Sequence, residues 1–310
     1  KSYGQAFGWI PFKPKELVMQ NNFYETSPAK RKRATKAEMI ERANFVADFT
    51  REFAPVTVRQ VFYAATVNNI IAKTEDGYSK IQQACLFGRR NGTIPYWQIA
   101  DNSRSFYQVH SFLDLSNASN SFAHTYKRDF WAESDDTVEV WLEKEALAGV
   151  VSPVTNEYRI RLVPTRGFAS ETIVHNAIKD AKAEGRSRLF VKTLYDFDRS
   201  GQDAEAAIVR RMNEIGKTMG IEVIHERLAL TLDQITQLNL PTRPAKKKSS
   251  ADKNWAYDFA VELDAMPPDV LRNLVAEALE PHMPKEIRDR YIQIEAQERA
   301  TIRMALSDLR

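Results

Sequence analysis

Glu143, Asp196 and Asp198 are the residues of this chain whose types and spacing point most directly to chemistry. Glu143 closes an apolar run, residues 138–142, that reads as a strand, and a helical pattern follows at once. Asp196 and Asp198 close a second such run, 189–195, and lead into the turn Ser200-Gly201. In a parallel sheet, ligand sites gather at the carboxyl ends of the strands. Alternate residues of an extended segment share a face, so Asp-x-Asp at a strand end can aim both carboxylates at one point. Three carboxylates that close together resist ionising unless a cation lies between them. Hard oxygen ligands favour Mg²⁺ or Mn²⁺ over zinc. Taken singly, each motif also reads as an ordinary turn or helix start. Together, in order on one α/β unit, they favour a metal site. Glu145, inside the expected helix, ranks second to Glu143.

Tyr63 is a second point of interest. On a helix beginning after Thr57, Val58, Val61, Phe62 and Ala65 form an i, i+3, i+4, i+7 stripe that faces a core. Tyr63 falls away from that stripe, with Arg59 one turn before it on the same side. An arginine there could hold a phosphate and favour the phenolate, and a phenolate that attacks phosphorus forms a covalent phosphotyrosine. A partly exposed tyrosine on an amphipathic helix is the plainer reading of the same residues.

The elements that must position these groups divide into two regions. Residues 1–130 carry 18 Lys and Arg against 11 Asp and Glu, whereas the remaining 180 carry 26 against 30. A basic front and an acidic back suggest that the front meets a polyanion while the back concentrates carboxylates. Residues 1–34 read as an irregular arm ending in Lys30-Arg31-Lys32-Arg33, a cluster suited to phosphate contact. Thr35 with Glu38 forms a capping box opening a helix to about residue 53. Thr57 caps a second helix to about 71, and a third runs from about 78 to Arg90. Residues 94–99 then read as a short extended or turn-rich piece. Three helices and a hairpin-like piece predict a winged-helix, helix-turn-helix type domain over 35–130, with Arg89 and Arg90 contacting DNA. After a helix near 117–131, strands at 138–142, 159–163, 189–195 and 221–228 alternate with helices at 144–151, 171–184 and 203–219. This alternation predicts an α/β domain over 131–310 with a mainly parallel sheet. Residues 241–254 read as a loop, and helices at 268–280 and 285–306 close the chain.

Composition narrows the classes. With 43% hydrophobic and 27% charged residues, the chain is ordinary for a globular protein. No apolar run approaches the length of a membrane span. The single Cys85 excludes an intramolecular disulfide and a cysteine-based zinc site, and the five histidines show no ligand spacing. No charged-then-apolar secretory pattern opens the sequence, so a cytoplasmic location is expected.

The same motifs resemble a known family. Thr57-Val58-Arg59-Gln60-Val61-Phe62-Tyr63 is similar to the catalytic-tyrosine motif of topoisomerase VI A subunits and of the meiotic double-strand-break transesterase. Residues 138–145, VEVWLEKE, resemble the Toprim strand and glutamate of that family, and 196–201, DFDRSG, its Asp-x-Asp-x-x-Gly loop. Arg166-Gly167-Phe168 and Val261-Glu262-Leu263-Asp264-Ala265 resemble two further segments, in the family's order. Residues 89–95, RRNGTIP, look like the compact mini-A relatives of phages and plasmids. The resemblance implies a winged helix followed by a Toprim domain. It implies attack by Tyr63 to leave a 5′-phosphotyrosyl link, with Arg59 assisting and Glu143, Asp196 and Asp198 holding Mg²⁺. A homodimer would cut both strands of double-stranded DNA in a bacterial or phage-infected cell, at the nucleoid. Arg199 stands where the family usually has proline, and Ala146 where it often has glycine. Gly216-Lys217-Thr218 lacks the earlier glycine of a P-loop, which is Arg211 here, so an ATPase would be a separate subunit. Two other functions compete. One is a hydrolytic nuclease on the same scaffold, like the nuclease subunit of Wadjet plasmid-defence systems. The other is a DNA-binding regulator with an inactive site.

Overall fold

The computed structural model describes residues 35–100, 109–167, 169–245 and 255–307. Lys30 to Arg33 and Phe168 lie outside them. Three helices come first: α1 (Lys36–Phe53), α2 (Val58–Val67) and α3 (Glu75–Arg90). Each begins after a threonine whose side chain accepts from the third backbone N–H, Thr35, Thr57 and Thr74 in turn. Each such cap stabilises its helix by about 1 kcal/mol. The Thr74 cap, with Glu75 and Asp76 in the first turn, starts α3 earlier than the apolar pattern indicated. α2 stops at Val67, short of the expected end, and Asn69 follows in the left-handed region at φ +58°. Residues 94–99 are not a hairpin. Pro95 leads into a single tight turn, Tyr96–Gln98, and Ile99 forms one parallel bridge to Val56.

Four strands form a wholly parallel sheet: β1 (Asp136–Leu142), β2 (Arg161–Pro164), β3 (Arg188–Leu194) and β4 (Glu222–Ala229). Their order is β2-β1-β3-β4, an arrangement of the Rossmann or Toprim kind. The crossovers run through α5 (Ala148–Glu157), α6 (Glu171–Ala183) and α7 (Arg199–Met219). Strand β1 shows how the sheet is filled. Val138, Val140 and Leu142 join the core formed with α5 and the N-terminal helices, while Trp141 joins the core under α6 and α7. That alternation follows from the two-residue period of a strand.

Two crossovers start differently from the expectation. After Glu143 one tight turn, Glu145–Leu147, precedes α5, which runs through Pro153 instead of stopping before it. Burial of Val150, Val151 and Thr155 offsets the backbone hydrogen bond that proline cannot make. Helix α7 begins at Arg199 because Asp198 is its cap. Thus Gly216-Lys217-Thr218 lies inside a helix.

Beyond β4 come α8 (Leu232–Gln237), missed by the sequence pattern, and a small antiparallel pair, β5 (Arg243–Pro244) with β6 (Phe259–Ala260). Helices α9 (Pro268–Leu279) and α10 (Lys285–Ser307) follow. α4 (Leu115–Thr125) packs on α10, and just after it Tyr126 and Arg128 bond Glu298. Among the described residues no helix is long and apolar enough to cross a membrane.

Candidate functional site

The carboxyl ends of β1 and β3 carry Glu143 and Asp196 side by side. Glu143 Oε2 accepts from the Asp196 backbone N–H at 2.8 Å, and Glu143 N donates to Leu194 O at 3.0 Å. Sheet register therefore fixes the pair. Asp196, 5% exposed, accepts from Leu263 N–H through Oδ1 at 2.7 Å and meets Lys144 Nζ through Oδ2 at 3.0 Å. Asp198 is turned differently. Its Oδ1 caps α7 by accepting from Gly201 N–H, and its Oδ2 accepts from Arg243 at 2.7 Å.

Two more acids join from a distant segment. Phe197 and Val261 form an antiparallel bridge, which draws residues 261–265 alongside the Asp loop. Val261 and Leu263 join the core, while Glu262, just before a tight turn at Leu263–Ala265, and Asp264 within it reach the site. Glu262 meets Arg59 at 2.5 Å, Lys144 at 3.3 Å and Arg243 at 3.6 Å. Asp264 accepts from Lys144 at 2.9 Å and from the Thr57 hydroxyl at 2.9 Å. Lys144 thus sits among three carboxylates.

These residues line an open cleft of about 890 Å³ between the N-terminal helices and the sheet edge. Six carboxylates there (143, 145, 196, 198, 262, 264) face five cations (59, 89, 144, 166, 243), a formal surplus of one negative charge. The surplus is felt at Glu143. Burial, then the Asp196 charge, pushes its carboxyl up to about 7. Burial likewise raises Asp196, against Lys144 and the Leu263 N–H. Burial would raise Glu262 too, but Lys144, Arg59 and Arg243 hold it at about 2. Burial works against the Lys144 ammonium, yet Asp264, Asp196 and Glu262 outweigh it and raise its pKa.

Among the described residues, no three acidic, histidine or cysteine side chains form a ready metal cage. Mg²⁺ is usually held by one or two carboxylates, several waters and substrate phosphates. Glu143 and Asp196 fit that mode as adjacent oxygen donors, with Lys144 the cation that Asp196 would exchange for the metal. Asp198 would have to leave Arg243 to become a direct third ligand.

Backbone geometry holds the acid pair. A Cβ on Gly201 would lie 2.6 Å from Asp196 O and 3.1 Å from Glu143 Oε2, so only glycine allows α7 this close. Gly167, at φ +93°, turns the chain after β2 so that its N–H meets Glu143 O at 3.3 Å. Arg227 on β4 donates to the carbonyls of Asp196 (2.9 Å) and Leu230 (2.9 Å) and pairs with the buried Glu205 on α7.

Tyr63 departs from expectation. It is 5% exposed, packed beside Phe62, with Lys73 Nζ 5.4 Å from its ring centre. Helix α2 is buried on two sides: α1 and α3 cover one, and residues 263–266 cover the other. A helical wheel locates only the first. Tyr63 is absent from the residues lining the cleft, and its hydroxyl makes no hydrogen bond among the described residues. Burial, then Glu262, pushes its phenol well above the ordinary value. Arg59 serves Glu262 rather than the phenol. Arg89 lines the cleft but donates to the carbonyls of Tyr96 and Ile99, while Arg90 is exposed. Glu145 pairs with Arg166 at 2.6 Å.

No protein-family model, no curated protein and no solved structure matches the chain.

Proposed function

We propose that this protein cleaves the DNA backbone in a divalent-metal-dependent reaction, as a topoisomerase VI A-like protein with a winged-helix unit and a Toprim domain. The observation that carries this reading is the Glu143–Asp196 pair at adjoining strand ends, in a cleft shared with Arg59 and Arg243. Strand order and the Asp-x-Asp-x-x-Gly loop agree with it. Glu143 and Asp196 would hold Mg²⁺ or Mn²⁺, with Asp198 nearby. The metal would supply charge neutralisation at a bridging phosphate and its leaving oxygen. Arg59, half-exposed on the cleft wall, and the more buried Arg243 would orient that phosphate. Lys144 limits repulsion among Asp196, Glu262 and Asp264.

Two attacking groups remain in play. The family resemblance favours the Tyr63 phenol, which would give up its proton, bond the 5′ phosphate and release a 3′ hydroxyl. A homodimer could then present Tyr63 to the partner's acids, and strand passage would call on a separate ATPase subunit. The burial and raised pKa of Tyr63 favour water, giving free ends.

Supercoiled plasmid incubated with protein and Mg²⁺, then denatured with and without protease, separates these forms. Protein-bound ends that vanish in Tyr63→Phe establish the tyrosine route. Free ends that persist in Tyr63→Phe establish hydrolysis. An uncut plasmid in every divalent metal tested overturns cleavage and leaves a DNA-binding protein.

A further inference from the structure

The turn Tyr96–Gln98 holds two large aromatic side chains in solvent, Tyr96 at 67% and Trp97 at 68% exposed. Aromatic rings of this size are normally covered, and adjacent exposed ones mark a binding surface. The turn is firmly built. Ile94 packs so closely on Gly88 that a Cβ there would lie 2.5 Å from Ile94 Cδ1, and Ile94 N donates to Gly88 O at 2.9 Å. Ile99 bridges to Val56. Arg89 donates to the carbonyls of Tyr96 and Ile99 and places its guanidinium 5.3 Å from the Tyr96 ring centre. Ile94, Gln98 and Ile99 point inward, which leaves Tyr96 and Trp97 no way in.

The surroundings select the occupant. Arg89, Ile99 and Ala100 belong to the same cleft wall as Arg59 and the Glu143–Asp196 pair, so the aromatic turn adjoins that cleft through Arg89 and Ile99. Arg90, exposed at the end of α3, is a second cation close in the chain to the turn. Flat aromatic faces next to a cation, adjoining a polar cleft that also holds Arg59, match an unpaired nucleic-acid strand. Bases stack on the rings while phosphates meet the arginines. A paired duplex buries its base faces and offers no such contact.

We propose that Tyr96 and Trp97 form a stacking platform for unpaired bases of DNA, flanking the phosphate held in the cleft. The proposal rests on the DNA-cleavage reading for its ligand but not for its test. Binding of a labelled oligothymidylate, and of a duplex of the same length, would be measured without divalent metal. The proteins compared are the wild type, Tyr96→Ala with Trp97→Ala, and Trp97→Phe. Stacking is sequence-tolerant and strong, so the double variant should bind the single strand at least about tenfold more weakly. Duplex affinity should stay close to wild type, and Trp97→Phe, which keeps an aromatic face, should retain most single-strand affinity. The two side chains are exposed, so all variants should melt with the wild type.

Equal weakening on both ligands, or unchanged single-strand affinity, overturns the platform even if the wild type cuts plasmid. Concentration-dependent self-association lost in the double variant, with single-strand affinity intact, assigns the surface to a second copy instead. A wild type that binds neither DNA overturns the platform, while the cleavage reading, which calls on a divalent metal, is decided by the plasmid assay. Single-strand binding lost in the double variant upholds the platform even if plasmid stays uncut.

Discussion

Replacing Glu262 by glutamine keeps the shape of the site but removes the charge at which Arg59, Lys144 and Arg243 meet. The Glu262 side chain is only 14% exposed, whereas that of Arg59 is 43% exposed. Breaking a fully buried ion pair costs about 3–5 kcal/mol. Here Lys144 keeps Asp196 and Asp264, and Arg243 keeps Asp198, so the loss belongs below that range. A value of about 2–3 kcal/mol follows, or a fall of roughly 4–12 °C in melting temperature. The pH dependence supplies a sharper test. Glu262 is held at about 2 in the fold, against an ordinary 4.5. A depressed carboxyl contributes stability that is full above its unfolded pKa and is lost as pH falls through its folded one. The gap between wild type and Glu262→Gln should therefore be widest near neutral pH and close between about 4.5 and about 2. Thermal melts followed by circular dichroism across that range measure it. A variant that melts with the wild type at neutral pH would refute the reasoning, as would a gap that does not narrow in acid.

Other substitutions probe the supports of the site. Arg227→Ala leaves Glu205 buried without its cation and frees the Asp196 carbonyl; melts should show a loss of about 3–5 kcal/mol, and cleavage should fall with it. Gly201→Ala adds a methyl 2.6 Å from Asp196 O, so Mn²⁺ affinity should fall despite the gain in helix propensity. A variant that binds Mn²⁺ as the wild type does would show that α7 has room to shift. Tyr63→Phe removes a hydroxyl that makes no hydrogen bond among the described residues, so denaturant melts should agree with the wild type within about 0.5 kcal/mol. A larger loss would reveal a partner for the phenol.

The parts of the site governed by local rules were legible in the sequence. Glu143 and the Asp196–Asp198 loop stand out because strand ends and two-residue alternation are readable in a short window. The capping residues Thr35 and Thr57 are visible for the same reason. The site's electrostatic partners are not local. Lys144 meets Asp264 across 120 positions, and Arg59 meets Glu262 across 203. Residues 261–265 offer no such local cue, since the bridge at Val261 runs into a tight turn at Leu263–Ala265 and two-residue alternation does not place both acids. Tyr63 shows the opposite limit. Its helix wheel describes one apolar face correctly, yet tertiary packing buries a second. Asp198 reads as a metal ligand from its Asp-x-Asp spacing, and its position before Ser200-Gly201 also makes it a helix cap, with Arg243 on its other oxygen.

Direct titration of Mn²⁺ into metal-free protein, read by electron paramagnetic resonance, tests the acid pair without requiring any DNA. The wild type should bind Mn²⁺, and Mg²⁺ should displace it. Glu143→Gln keeps an acceptor for the Asp196 N–H but removes the charge, so affinity should fall by about tenfold or more, with a similar fall in Asp196→Asn. Wild-type Mn²⁺ affinity in both variants, or no binding by the wild type, would contradict the assignment of Glu143 and Asp196 as the metal site.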